Sequence, residues 1–334
     1  MDAGRARRHL STKRRISTGA WAWARACALA LAAALLAGGC GGSGGSHERG
    51  RTLDYWVAAV PVSWNIAPNG HDALMGEKLS TNETVFPTVV YRAYSPHWRK
   101  PEANAPQSSA DGLLIPGPLI HARVGDELRI HFKNMDTLHR APHSMHFHGV
   151  HYGVASDGAF IPGFSGPGAD VAFGKTFTYH LTAGPDSAGV WPYHDHSPSM
   201  MESIEGGMYG MLSILGKDEK APDREFEVVL APMGKDFMTV DGRAFVGNTP
   251  IFHAKVGDVV QWDVMAMGSE FHTFHVHGHR WLAADGEPKD TQTVGPAETF
   301  KIRWREDRAG TWLYHCHVEA HMQKGMIGIY EVSR

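Results

Sequence analysis

Cysteine occurs three times in 334 residues, and one of the three stands between two histidines: His315-Cys316-His317-Val318-Glu319-Ala320-His321, with Met326 close behind. In a β-strand successive side chains point to opposite faces. His315 and His317 would share one face and Cys316 would point to the other. Cys316 with His321 and one further histidine makes a trigonal set of two imidazoles and a thiolate, and Met326 is placed to be a weak axial fourth ligand. Those donors are the set that holds copper in electron-transfer sites. His315 and His317 would bind something else on the far side of the same strand.

The elements that must position these residues read as β-structure. From Leu53 onward, short runs rich in Val, Ile, Tyr, Phe and Trp alternate with Pro, Gly, Asn and Asp. Tyr55–Val62, Leu128–Phe132, Phe177–Leu181 and Met211–Leu215 are examples, and no long amphipathic helix interrupts them. The stretch 94–118 is rich in Pro and Ala and reads as loop. The polar break 216–223 separates two halves, and Glu225–Leu230 then alternates, with Phe226, Val228 and Leu230 on one side.

The halves are copies. Pro118–Asp126 (PLIHARVGD) returns as Pro250–Asp258 (PIFHAKVGD), and His143–Gly149 (HSMHFHG) as His272–Gly278 (HTFHVHG). Ala188–His196 (AGVWPYHDH) returns as Ala309–His317 (AGTWLYHCH), and Gly207–Gly210 (GMYG) as Gly325–Gly328 (GMIG). The offset shrinks along the chain from 132 to 129, 121 and 118, so the second copy has lost loop residues. Two β-domains of this length, with closely spaced turns, fit Greek-key sandwiches or barrels. The expected boundaries are 50–217 for the first domain and 222–334 for the second.

Both copies keep their H-x-H pairs: His146/His148 and His194/His196 in the first, His275/His277 and His315/His317 in the second. Eight imidazoles exceed the needs of one mononuclear site and would suit three metal ions sharing two, three and three ligands. By parity His272 faces away from His275 and joins Cys316, His321 and Met326. The first copy retains His143 and Met208 but has Asp195 in place of the cysteine and Met200 in place of His321. Without the thiolate, the equivalent site should be lost there.

These motifs resemble those of the multicopper oxidases over residues 50–334. With two domains and a cysteine only in the second, the chain resembles the small two-domain bacterial laccases. The resemblance implies an all-β fold of two cupredoxin-like Greek-key sandwiches in tandem, carrying about four coppers per chain. Type 1 copper would be held by His272, Cys316, His321 and Met326, type 2 by His146 and His275, and the type 3 pair by His148, His194, His196, His277, His315 and His317. It further implies O2 as the acceptor and a small one-electron donor, whether a phenol, an aromatic amine or a metal ion. It implies a homotrimer with clusters at subunit interfaces. Asp157 and Tyr152, in the loop after the first motif, match an acid and a tyrosine near the cluster in that family. A two-domain copper nitrite reductase shares the fold but needs one catalytic copper with three histidines. A non-catalytic copper-binding or copper-tolerance protein would explain the histidines without the path from Cys316 to the cluster.

Residues 1–45 read as an export signal and flexible tether. Arg5, Arg7, Arg8, Lys13, Arg14 and Arg15 precede an apolar run too short to span a bilayer. Small residues before Cys40 resemble a lipoprotein signal, which would tether the chain to the outer face of the membrane through a lipidated Cys40. Simple cleavage would instead release it, and a twin-arginine or a general export route fits. Only Cys316 then remains in the folded part, with no pair for a disulfide. A net charge of −3 with no basic cluster in the body argues against a nucleic-acid partner. Two loose groups carry no ligand pattern. His71, His97, His131, His139, His151, His180 and His279 have no evident partners, and Met200, Met201, Met208, Met211, Met265 and Met267 read as core filling ahead of a thioether-rich patch for cuprous ions.

Overall fold

Alternation along the strands decides the layers. In Glu127–Asn134, Leu128, Ile130 and Phe132 are buried and Glu127 and Arg129 exposed. In Ile251–Lys255, Phe252 and Ala254 are buried between three exposed residues. One apolar face per strand needs a second sheet to cover it, and the computed structural model, which describes residues 50–104 and 113–334, contains four such sheets. The export signal, the tether, Cys27 and Cys40 lie outside the described residues.

The first half supplies β1 (Thr52–Asn65), β2 (Val85–Tyr94), β3 (Ile120–Arg123), β4 (Glu127–Asn134), β5 (His146–Phe147), β6 (Thr176–Thr182), β7 (Gly189–His194) and β8 (Tyr209–Leu215). The second supplies β9 (Arg224–Met233), β10 (Phe237–Val240), β11 (Ile251–Lys255), β12 (Val259–Ala266), β13 (His272–Val276), β14 (Trp281–Leu282), β15 (Pro288–Lys289), β16 (Thr291–Val294), β17 (Thr299–Arg305), β18 (Gly310–Cys316) and β19 (Ile327–Ser333). The sheet order β2-β1-β4-β6 pairs with β3-β8-β7-β5 to form one sandwich. The orders β10-β9-β12-β17 and β11-β19-β18-β13-β16 form the second. The duplication survives in the pairing. β1 runs parallel to β4 as β9 does to β12, and β3 runs parallel to β8 as β11 does to β19. These are two cupredoxin-like sandwiches in tandem.

Each sandwich has its own core. Phe132, Phe147, Tyr179 and Tyr193 centre the first; Trp262, Phe274, Tyr314 and Tyr330 centre the second and enclose Cys316 and Met326. A third cluster joins the two. Ala58, Val60, Trp64, Tyr209 and Met211 from the first half meet Val229, Ala231, Met233, Met265 and Met267 from the second. Met208, Met211, Met265 and Met267 are thus core residues, whereas Met201 is exposed.

The seam between the sandwiches also buries acids. Glu227 lies on the seam face of β9, opposite Asp263 of β12 in the register. Both are buried, and no protein group hydrogen-bonds either Glu227 oxygen. Burial, reinforced by Asp241, Asp263 and Glu225, pushes the Glu227 carboxyl well above its ordinary range. Burial raises Asp263 and Asp241 likewise. A carboxyl whose folded pKa exceeds its unfolded value near 4.3 favours folding fully below that value, and the contribution is lost as pH rises. Glu227→Gln keeps the shape and removes the ionisation. The variant should melt a few degrees above the parent at pH 8, with the gap closing near pH 4. Melting curves across that range check it, and a pH-independent gap would contradict the assignment.

Candidate metal centre

Two strands and one short helix bring the second-domain residues together. β13 pairs antiparallel with β18, placing His275 opposite His315 and Phe274 opposite Cys316. Thus His275 and His315 share one face while Cys316 turns to the core. His272 starts β13, and His321 sits in the helix Glu319–Gln323. Three donor atoms converge: Cys316 Sγ is 3.8 Å from His272 Nδ1 and 3.7 Å from His321 Nδ1, and the two nitrogens are 3.1 Å apart. A circle through these atoms has a radius of about 2.1 Å, a metal–imidazole bond length. The donors are therefore close enough together to hold a single ion. Met326 is fully buried in the same cluster, and its carbonyl accepts the Cys316 N–H. The Thr273 N–H points at Sγ from 3.4 Å. His321 alone of the four reaches the surface, at 9% exposure.

The other eight histidines gather as two sets of four. His146, His148, His194 and His196 have ring centroids 5.0–5.7 Å apart. His275, His277, His315 and His317 show 5.1–5.5 Å. In each set two Nε2 atoms face one another, His148 to His194 at 3.3 Å and His277 to His315 at 3.0 Å. Four rings are fixed through the opposite nitrogen. His146 Nδ1 donates to the Asp157 carbonyl (2.6 Å), His194 to Asp195 (2.9 Å), His275 to Asp290 (2.6 Å) and His315 to Cys316 (2.9 Å). Each bond puts the proton on Nδ1 and leaves the Nε2 lone pair for a metal. Burial lowers His148, His194 and His272 to about 4, and it also lowers His277, His315 and His321. These imidazoles are neutral at neutral pH, the state a metal needs.

Among the described residues no hydrogen bond or ring contact joins one set of four to the other. The first set is half-buried or buried, while His277 and His317 of the second are exposed. A cavity beside His146 and His148, about 600 Å³ in volume, is also lined by Tyr152, Trp191 and second-half residues such as Gln292 and Thr299.

Of the acid and the tyrosine expected near the cluster, Asp157 caps a short 3-10 helix (Val154–Ser156), and its carboxylate lies 3.6 Å from His146 Nδ1. Tyr152 stands 6.3 Å from the His146 ring, and burial together with the Asp157 carboxylate raises its phenol. Sequence reasoning missed Asp290 and Thr291, whose carbonyl and hydroxyl hold His275 Nδ1. The duplication was the available signal, since Asp157 and Asp290 each lie in the loop after an H-x-H pair. His151 and His279, without evident partners in the sequence, do have them: Asp186 at 2.7 Å and the buried Glu306 at 3.2 Å.

With this geometry in view, comparison with known proteins is direct. Two domain models described as multicopper oxidase match residues 106–219 and 220–334. A protein from Kuenenia stuttgartiensis described as a probable nitrite reductase-hydroxylamine oxidoreductase fusion is 33% identical over 247 residues, covering 67% of this chain and 28% of its own length. The Homo sapiens protein described as ferroxidase HEPHL1 is 26% identical over 347 residues, covering 84% of this chain and 29% of its own length. The chain thus spans under a third of these curated relatives. A solved structure described as a multicopper oxidase is 25% identical with a TM-score of 0.64, covering 86% of this chain and 94% of its own. The chain belongs to the multicopper oxidase family.

The glycine closing each H-x-H-G motif has a steric reason. Gly149 has φ +68°, and a Cβ there would lie 1.9 Å from Trp191 Cδ2; at Gly278 (φ +72°) the nearest Trp312 atom is 2.7 Å away. Gly149→Ala should cost roughly 2–5 kcal/mol, the sum of left-handed strain and overpacking, and Gly278→Ala should cost less. Denaturant melts of both variants check the order.

Proposed function

We propose that this protein is a laccase-like oxidase that takes electrons singly from a small donor and passes them to O2. The observation that carries the reading is a thiolate site and a cluster half-site built on opposite faces of β18. Type 1 copper would sit among His272, Cys316, His321 and Met326. His146 and His275 would hold type 2 copper, and the remaining six histidines the type 3 pair. Four coppers held by these residues would together store the four electrons needed to reduce O2 to water. His321, at the surface edge of its site, is where a donor would approach. The peptide from Cys316 to His315 or His317 would connect the two sites through covalent bonds. Asp157 would hold and pass protons on the first-domain side, with Tyr152 hydrogen-bonded to it.

Each half-site has only four histidines, which supports completion by another copy of the chain. Domain 1 of one protomer would face domain 2 of its neighbour, closing a homotrimer. The nitrite reductase relatives favour the shared fold, but a single catalytic copper leaves most of the eight paired histidines unexplained. A purely copper-binding protein leaves unexplained the thiolate set back to back with a cluster half-site. Phenols, aromatic amines and metal ions are the donor classes to compare. Export belongs to the same reading. The basic N-terminal run and the small residues before Cys40 support secretion with a lipid anchor, and mass spectrometry of the mature N-terminus tests it.

Copper-loaded protein should contain about four coppers per chain and consume O2 with a phenolic donor. Cys316→Ser should abolish the blue absorption and lower turnover at least 1,000-fold while about three coppers stay bound, because the thiolate serves only one face. Oxygen uptake absent from fully loaded protein would sink the oxidase reading.

Assembly has its own test. One chain carries His148→Ala and His194→Ala, and a second carries His277→Ala and His315→Ala. Neither should turn over alone. Refolded together, they should recover a measurable fraction of activity if clusters form between chains. No recovery in mixed oligomers would place the cluster within one chain.

A further inference from the structure

The first domain has lost the thiolate site, yet its residues there are not idle. His143 corresponds to His272, Asp195 to Cys316 and Ser144 to Thr273. In the second domain His272 Nδ1 and the Thr273 N–H both face Cys316 Sγ, at 3.8 and 3.4 Å. In the first, His143 Nδ1 faces Asp195 Oδ2 at 3.3 Å, and the Ser144 N–H donates to Asp195 Oδ1 at 2.7 Å. The carboxylate has taken over the contacts of the thiolate.

The opposite ring nitrogen differs between the copies. No protein group hydrogen-bonds His272 Nε2. His143 Nε2 lies 3.2 Å from Asp136 Oδ2. Asp136 comes from a loop that is three residues longer in the first copy, as the fall in offset from 132 to 129 records. Its carboxylate is held by the N–H groups of Leu138, His139 and Ala141. Both nitrogens of His143 thus face carboxylate oxygens, which only accept. Asp136, His143 and Asp195 are all buried.

We propose that the buried Asp136–His143–Asp195 triad replaces a metal ion as the cross-tie that positions the four cluster histidines of the first domain. Asp195 Oδ1 and Oδ2 also accept from Ser197 N–H and Oγ, at 3.3 and 2.8 Å. Ser144 Oγ accepts from the His196 N–H at 3.0 Å. One carboxylate therefore ties the segment just before His146 to the segment carrying His194 and His196. Metal coordination would make that tie in the second domain. In the first it is redox-inert and present before any copper arrives. These are positioning residues, since none of the three belongs to the cluster ligand set.

The inference rests on the proposed copper cluster, so the wild-type copper content is measured first; a wild type without cluster copper fails the oxidase reading, whereas the triad is judged by the ratio of variant to wild type. Asp195→Asn and Asp136→Asn are loaded with copper and titrated with a chelator. The blue absorption of the second-domain site is the internal control. Cluster copper, read from its paramagnetic type 2 signal and total copper, should bind about tenfold more weakly in Asp195→Asn, with a smaller loss in Asp136→Asn and an unchanged blue band. The copper-free Asp195→Asn protein should also melt below the copper-free parent. Ser144→Ala, which cuts the hydroxyl links to the His196 N–H and to Asp195 Oδ1 and keeps the carboxylate, keeps the test alive should Asp195→Asn fail to fold; it should weaken cluster copper alone. Cluster binding at wild-type strength in these variants, or a blue band that falls in step with cluster copper, would overturn the proposal.

Discussion

The carbonyl of Cys316 accepts the Nδ1 proton of His315 at 2.9 Å, while the thiol of the same residue faces His272 and His321 on the other side of β18. The strand period of two makes this division possible. It also imposes a rule on the imidazoles. Cluster histidines whose Nδ1 is taken by a carbonyl present Nε2. His272 and His321, on the core face, present Nδ1. The hydrogen-bond partner of a ring therefore separates two kinds of ligand within one short motif. A slip of one residue in the β13–β18 register would exchange the faces. The pairing of Phe274 with Cys316 inside the core holds that register, because neither side chain could move to the wet face without exposing apolar surface.

Desolvation does the remaining work at the thiolate set. Burial holds His272 near 4, so the ring stays neutral and open to a metal far below neutral pH. The same burial shields Cys316, the one free cysteine among the described residues. Aromatic packing creates this dry environment. Phe274, Trp262, Tyr314 and Tyr330 surround the strand, and Tyr314 is anchored by its hydroxyl to the Pro250 carbonyl. Tyr193 repeats that anchor on Pro118 in the first domain. The two domains share this anchored tyrosine, and Asp195 stands in the first where Cys316 stands in the second.

The parts legible in the sequence were those governed by period and repetition. Facing pairs such as His146/His148 follow from the strand period, and the two sandwiches follow from four repeated segments in the same order. What stayed hidden depends on long loops and on packing between halves. Asp290 reaches His275 across a hairpin, Asp136 reaches His143 from an enlarged loop, and Glu306 meets His279 from a distant strand; no local periodicity marks any of them. The run Glu225–Leu230 shows the limit most clearly. Its alternation predicts one buried face holding Phe226, Val228 and Leu230, and that is where they lie. A solvated opposite face would be the usual counterpart, yet Glu227 and Val229 are buried too, because the first sandwich covers them. Alternation gives the faces of a strand, and only the neighbouring domain decides whether the polar one is wet.

The uneven exposure of the two histidine sets bears on how a cluster would be loaded. His194 is 7% exposed and His148 is half-buried, while His277 and His317 stand open on the surface. Under the proposed arrangement a preformed pocket in one protomer receives an open set from the next. Binding that occurs only in the assembled state stabilises that state by mass action. Copper affinity and protomer association then become one linked equilibrium, and each should strengthen the other. The first-domain set gains from being rigid before that encounter, since a half-site already in place loses less freedom on closing. Under the same proposal the second-domain set has less need of a separate tie, because a metal held by the thiolate set on the far face of β18 would fix His315 and His317.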